Sequence, residues 1–181
     1  RAGERAVYCG FLDEPPALTA TPRDCALVYL GVGSVPAGVA IRAGGELAEA
    51  LGCDVYVAGM SEAVHAVGDH EVTCAPRFDV AEILPRARVF VHHGGQNSVM
   101  DALSYAVPQV LVPGRVFERQ FNAEAVENAR CGLTVHASQP ALIARAARRL
   151  VDEPTLTSGI RGLRDELSSL GGTKRIVREV E

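Results

Sequence analysis

Short apolar runs punctuate the chain: "ALVYLG" at 26–31, "DVYVAG" at 54–59, "EVTCA" at 71–75, "RVFVHH" at 88–93, "QVLVP" at 109–113 and "GLTVH" at 132–136. Several are apolar on both faces instead of alternating, as strands are when helices cover each side of a sheet. Between them "PAGVAIRAGGELAEALG", "QNSVMDALSYA", "RQFNAEAVENAR" and "ALIARAARRLVDEP" carry the three-to-four spacing of helices. This alternation predicts an α/β fold, a doubly wound parallel sheet with helices on both faces. Residues 1–22 read as a connecting segment, 23–181 as the folded domain, and 155–181 within it as one or two terminal helices. Ligands of such sheets gather beyond the carboxyl ends of the strands, so the strand-to-helix loops are where chemistry is expected.

One of those loops stands out, in "RVFVHHGGQNSVMDAL" at 88–103. Side chains alternate along a strand, so His92 and His93 at its end point to opposite faces and only one of them can meet a ligand. Gly94 and Gly95 allow a tight turn and a close backbone approach. A helix beginning near Gln96 aims its unpaired N–H groups and positive end at the same spot, an arrangement suited to phosphate. Asn97 and Ser98 add side-chain donors in the first turn. Asp101, three residues on, returns to the same helical face, where a carboxylate suits ribose hydroxyls rather than phosphate. The pattern sketches a nucleoside diphosphate across the helix start; a tight Gly-Gly connection with no ligand is the plainer alternative. A second glycine-rich loop, "YLGVGSVPAG", fails the dinucleotide fingerprint, because Pro36 stands where the third glycine is needed and Asp54 opens the next strand instead of closing it. Gly31, Gly33 and Ser34 there offer backbone amides to a ligand, or make a plain turn.

Composition narrows the partners. The chain has 181 residues, 48% of them hydrophobic, and a net charge of −4 with its basic residues scattered. That fits one domain with a small neutral or anionic ligand, and argues against a nucleic-acid groove or a polybasic membrane contact. The five cysteines form no CxxC pair and read as reduced core thiols of a cytoplasmic protein. No run reaches the ~18 apolar residues of a membrane span, and "RAGERAVYCGFLDEPP" contains no signal-peptide core. His65, His70 and His136 lack metal-ligand spacing, neighbouring histidines on a strand diverge, and no aspartates stand as Asp-x-Asp, so no metal is expected. Tyr105 and Phe121 read as core, and Arg145, Arg148 and Arg149 as a solvated helix face.

Over "HHGGQNSVMDALSYAVPQVLVPGRVFERQFNAEAVENARCGL", residues 92–133, the chain resembles the carboxyl-terminal, donor-binding domain of inverting GT-B glycosyltransferases, nearest to the bacterial macrolide and natural-product branch. "YCGFLDEP" resembles the interdomain linker of that family and "ALVYLGVGS" its first strand and loop, which carries Gly33 and Ser34. The resemblance implies a Rossmann-like domain, the second half of a GT-B fold, binding a UDP- or dTDP-sugar for transfer to a small-molecule acceptor in natural-product or antibiotic biosynthesis. By position, His93 resembles the histidine that bonds the donor phosphate, with Gly94, Gly95, Asn97 and Ser98 around the diphosphate. Asp101 stands where the family usually has a glutamate reaching the ribose. Glu118 and Arg119 fall on an Asp/Glu-Gln pair that contacts sugar hydroxyls; Glu118 conforms, Arg119 departs, and Gln120 lies beside it. Cys74 replaces an aromatic near the base, leaving base contacts to backbone groups of Ala75.

The same resemblance assigns the general base and acceptor cleft to an amino-terminal domain. Because the chain opens on Arg1 and the likeness begins at the linker, the expectation is an excised donor domain, inactive alone, or half of a split enzyme whose acceptor domain is a separate polypeptide. The expected chemistry is metal-independent, with no cofactor beyond the donor. A nucleotide-sugar epimerase of the same two-domain plan, or a non-catalytic domain that binds nucleotide or a partner, are the alternative readings.

Overall fold

The computed structural model describes residues 7–31 and 35–180. Gly33 and Ser34, two of the expected donor contacts, lie outside the described residues. In chain order the elements are β1 (Cys25–Tyr29), α1 (Ala37–Leu51), β2 (Asp54–Ala58), β3 (Ala63–Val67), β4 (His70–Ala75), α2 (Val80–Ile83), β5 (Ala87–His92), α3 (Gln96–Ser104), β6 (Gln109–Leu111), α4 (Phe117–Asn128), β7 (Gly132–Thr134), α5 (Pro140–Asp152), α6 (Ile160–Ser169) and α7 (Gly172–Val180). The strands form one seven-stranded sheet in the order β3-β4-β2-β1-β5-β6-β7. Every neighbouring pair is parallel except β3 with β4.

Strand β3 adds one antiparallel edge to the doubly wound parallel sheet expected from the apolar runs. It hangs on the sheet edge as the first arm of a hairpin, with Val67 opposite His70. One of its valines, Val64, is 61% exposed. An edge strand open to water needs no doubly apolar run, so it left no such signal.

Helices α1 and α5 pack on one face of the sheet, where Leu47, Ala43, Ile143 and Ala147 meet Val28, Val57 and Val91. On the opposite face α3, α4 and α6 close over Leu111, Val99, Leu103 and Val126. Alternation along β5 therefore divides its residues, Val89 and Val91 going to the α1–α5 side and Phe90 to the other. The described part of the first 22 residues contains no helix or strand and is tied to the carboxyl-terminal helices, Gly172 N–H donating to Cys9 O at 2.8 Å and Thr173 Oγ1 to Leu12 O at 2.7 Å.

Two features set the position of α3. Its carboxyl end closes with Ala106 at φ 51° and Val107 N–H donating to Ala102 O at 2.8 Å. Arg23 then donates to the carbonyls of Tyr105 and Ala106, at 3.1 and 2.9 Å, and to Ala87 O at 2.8 Å. A guanidinium at a helix carboxyl end is favourably placed against the dipole, and this one fastens α3 to the base of β5. The amino end of the helix is left free.

Candidate functional site

The chain winds outward from β1 through β2 and then returns to place β5 on the other side of β1. The order of strands reverses there, so a crevice opens between the carboxyl ends of β1 and β5, the place where open α/β sheets take their ligands. Tyr29 ends β1 and His92 ends β5, the two standing opposite one another in register. His93 follows directly. Its Nδ1 lies 3.4 Å from Tyr29 O, and its ring meets the Tyr29 ring edge-on at 5.4 Å. The imidazole thus sits in the crevice itself.

The two histidines part as alternation requires. His92 is fully buried on the α3 face, bonded to Gln109 Oε1 at 3.0 Å, while His93 is half-buried. Burial drives the His92 pKa down to about 3, with the Gln109 bond opposing and the His93 charge adding to the fall. His93 is also held below its ordinary value, first by burial and then by the Arg119 charge, against the pull of Tyr29 O and Glu118. Both shifts favour the neutral ring.

Gly94 takes φ +84°, a conformation that costs a side chain about 1 kcal/mol or more. A Cβ there would also stand 3.0 Å from Arg119 O. At Gly95 the reason for glycine is different, since a Cβ would lie 2.6 Å from His93 Nε2. The missing side chain is what lets the imidazole lie over the first turn of α3. Gly95 is the N-cap and supplies no side-chain hydrogen bond, so the first amides of α3 are left for solvent or a ligand. Those amides, the dipole of α3 and the imidazole edge lie together at the start of the helix, a setting suited to an oxyanion of phosphate once the ring presents a proton.

Around that point the expected residues are distributed as follows. Asn97 is exposed and Ser98 buried in the first turn of α3. Asp101 is half-buried one turn on, its pKa raised by burial. Burial, then the charges of Asp101 and of Asp79 in the connection between β4 and α2, raise the pKa of the Tyr105 hydroxyl. Where β4 ends, Ala75 O accepts from Met60 N–H at 3.2 Å and Pro76 O from Gly59 N–H at 3.3 Å. Glu118 and Arg119 begin α4 close enough to perturb His93 in opposite senses. Gln120 is turned to its own loop, donating to Gly114 O at 2.9 Å. Beside Arg119 an open cleft of about 550 Å3, lined among others by Arg115, Val116 and His136, lies beyond the ends of β6 and β7.

Three residues of the site went unnoticed in the sequence as functional: Tyr29, Gln109 and Asn122. Asn122 Nδ2 donates to Gly94 O at 2.9 Å, from 28 positions away. Their signal is a polar residue in an apolar setting, Gln109 at the head of "QVLV" and Asn122 on the buried stripe of α4. Phe121, expected in the core, is 63% exposed, and its neighbour Phe117 82%. The buried stripe of α4 is Asn122, Ala123 and Val126, small side chains that let the helix come within reach of the Gly94 turn.

All five cysteines are unpaired, four of them buried, and burial raises the Cys25 and Cys131 thiols to about 11. Among the described residues no three His, Cys, Asp or Glu side chains converge as a metal site, and no helix is long and apolar enough to cross a membrane.

Residues 50–181 match the family described as erythromycin biosynthesis protein CIII-like, C-terminal domain. The chain belongs to that family. Its relatives include the zeaxanthin glucosyltransferase of Pseudescherichia vulneris, 26% identical over 189 residues that cover 96% of this chain and 44% of the relative. The calicheamicin glycosyltransferase CalG4 superposes with a TM-score of 0.78 at 26% identity, over 98% of this chain and 47% of that one. The Streptomyces sp. SF2575 glycosyltransferase SsfS6, solved with thymidine diphosphate, gives 0.71 at 26% identity, over 97% and 46%. This erythromycin-CIII-like domain is thus one half of a GT-B glycosyltransferase fold, and it spans less than half the length of the curated relatives it matches.

Proposed function

We propose that the chain is the donor-binding domain of an inverting, metal-independent glycosyltransferase that uses a UDP- or dTDP-sugar and a small natural-product acceptor. The observation that carries this reading is the His93 imidazole lying over Gly95 and the uncapped start of α3 at the β1–β5 crevice. The named activity of the zeaxanthin relative supports sugar transfer, and the thymidine diphosphate bound by SsfS6 supports a pyrimidine donor.

In the reaction an acceptor oxygen attacks the anomeric carbon as the bond from that carbon to the diphosphate oxygen breaks. The electron pair leaves with the diphosphate and the proton goes to a base. His93 and the α3 amides meet the charge that grows on the leaving group; donors fixed before the reaction act most strongly there, at roughly 1.5 to 3 kcal/mol for each hydrogen bond to a charged group. Asp101 faces the ribose, and Glu118 and Arg119 the sugar, at the mouth of the cleft beside α4. The base and the acceptor pocket belong to a second domain, on the same chain or a separate polypeptide, so the chain alone binds donor without turning over acceptor.

Calorimetric titration with UDP, dTDP and GDP tests this directly. A pyrimidine diphosphate should bind equally well with and without EDTA, and His93→Ala should weaken it by about tenfold to a hundredfold. Undiminished binding by folded His93→Ala, or loss of binding in EDTA, would overturn the reading.

A further inference from the structure

Beneath the Gly94 turn lies a polar cluster sealed from solvent. His92 and Gln109 are both 0% exposed, and the Phe90 ring stands 4.7 Å from the imidazole. Gly94 N–H donates to His92 Nδ1 at 3.1 Å, so that nitrogen keeps its lone pair. A neutral ring then carries its proton on Nε2, which donates to Gln109 Oε1 at 3.0 Å. This leaves Gln109 Nε2 buried with no partner. An orphaned donor destabilises a fold, and a leucine or methionine would fill the same space without one, so packing does not explain the pair.

What the pair does is hold Gly94. His92 takes its N–H from the β5 side, and Asn122 Nδ2 donates to its carbonyl from α4 at 2.9 Å. No peptide bond among the described residues is cis, and in a trans peptide the C=O and the following N–H point in opposite directions. With the Gly94 carbonyl directed to Asn122, the Gly95 N–H points away from Asn122.

We propose that His92 and Asn122 are positioning residues that grip Gly94 from its two sides and thereby aim the Gly95 N–H, together with the first amides of α3, at the diphosphate of the donor. The proposal rests on the donor-binding reading above. It assigns Gly94 a purely conformational part, its N–H already spent on His92, and gives the direct contact to Gly95.

The test uses the 181-residue chain. His92→Phe keeps a ring and removes the acceptor, and His92→Asn returns an acceptor near the place of Nδ1. Affinities for UDP and UMP report the diphosphate contribution separately from the rest of the nucleotide. His92→Phe and Asn122→Ala should each cut the preference for UDP over UMP by about tenfold, the worth of one hydrogen bond to a charged group, with recovery in His92→Asn. A folded His92→Phe with the wild-type preference would overturn the proposal. Nitrogen-15 spectra of the wild type give a second reading that no unstable variant can obscure. They should show His92 protonated at Nε2 only, and added UDP should shift the Gly95 amide more than that of Gly94. The opposite tautomer, or a shift at Gly94 alone, would also overturn it. Failure of the donor-binding reading looks different, because the wild type itself would then bind neither UDP nor dTDP.

Discussion

One residue apart, His92 and His93 carry the same ring into two regions with opposite rules. Below the Gly94 turn both ring nitrogens of His92 are already bonded, one to a donor and one to an acceptor, and no water reaches them. A second proton there would set a donor against the Gly94 N–H. Above the turn His93 is half-open, its Nδ1 leaning on the Tyr29 carbonyl and its Nε2 over Gly95, facing the free end of a helix. Burial lowers both pKa values, but only the upper ring has a place for an anion to counter that effect. The lower ring is therefore suited to fixing a shape and the upper one to meeting charge.

The largest expected difference between them is in acid stability. The folded pKa of His92, about 3, lies below the ordinary 6.5 of an unfolded chain. Its contribution is therefore fully present above pH 6.5 and is lost as pH falls toward 3, by roughly 1.4 kcal/mol per unit at most. Urea unfolding across that window should show a steep wild-type slope, to which carboxylates also contribute. His92→Phe should flatten it, though its neutral-pH stability falls by about 2 kcal/mol for the stranded Gly94 N–H and Gln109 carbonyl. His93→Ala should keep most of the slope. Equal slopes in both variants would mean that the two rings share one environment after all.

Gly95→Ala probes the upper region alone. Gly95 has φ −65° and ψ 146°, open to any residue, so the substitution strains no backbone. Its new Cβ would nonetheless lie 2.6 Å from His93 Nε2 and must push the ring aside. Thermal stability should change by less than about 1 kcal/mol, within the range of most benign substitutions. UDP or dTDP affinity should fall by about tenfold, approaching the effect of removing His93 outright. Unchanged affinity would show that the ring position seen over α3 is not the one used.

The parts of this arrangement that were legible in the sequence are local patterns. Strands buried on both faces announce themselves as apolar runs, and a histidine pair followed by Gly-Gly and a helix start is a contiguous signal. That the two histidines must diverge follows from strand geometry; which one faces the crevice does not, because it depends on which face α3 and α4 cover. Gln109 and Asn122 reach the site from 17 and 28 positions away, and no local pattern ties them to it. Phe121 misled for a related reason. Helix α4 carries large apolar residues on one side and small ones on the other, and the close approach of Arg119 O to Gly94 decides in favour of the small ones. β3 is hard to read because an edge strand with an exposed middle needs no run apolar on both faces; only Ala63 and Val67 at its ends pack against the core.

The smallest effect separates the two rings by their protons during binding. If the His93 Nδ1–H donates to Tyr29 O, the neutral ring presents a lone pair at Nε2, which repels phosphate oxygen. Binding then requires a proton at Nε2, and the bound anion raises a pKa that burial and Arg119 had lowered, while Glu118 continues to favour the charged ring. The sign follows: the complex holds more proton than the free protein between the lowered free value and the raised bound one, so affinity increases as pH falls through that interval. Above about pH 7 a terminal phosphate keeps its full charge and does not obscure the trend. From about pH 8.5 down to 7, UDP affinity should therefore climb by about threefold in all, with fractional proton uptake visible as a dependence of the binding heat on buffer. His93→Ala should abolish both signals, and His92 should contribute to neither because its ring stays neutral throughout. Flat binding across this range would mean that His93 adopts the other tautomer and donates as a neutral ring, with Tyr29 O left to a weaker contact.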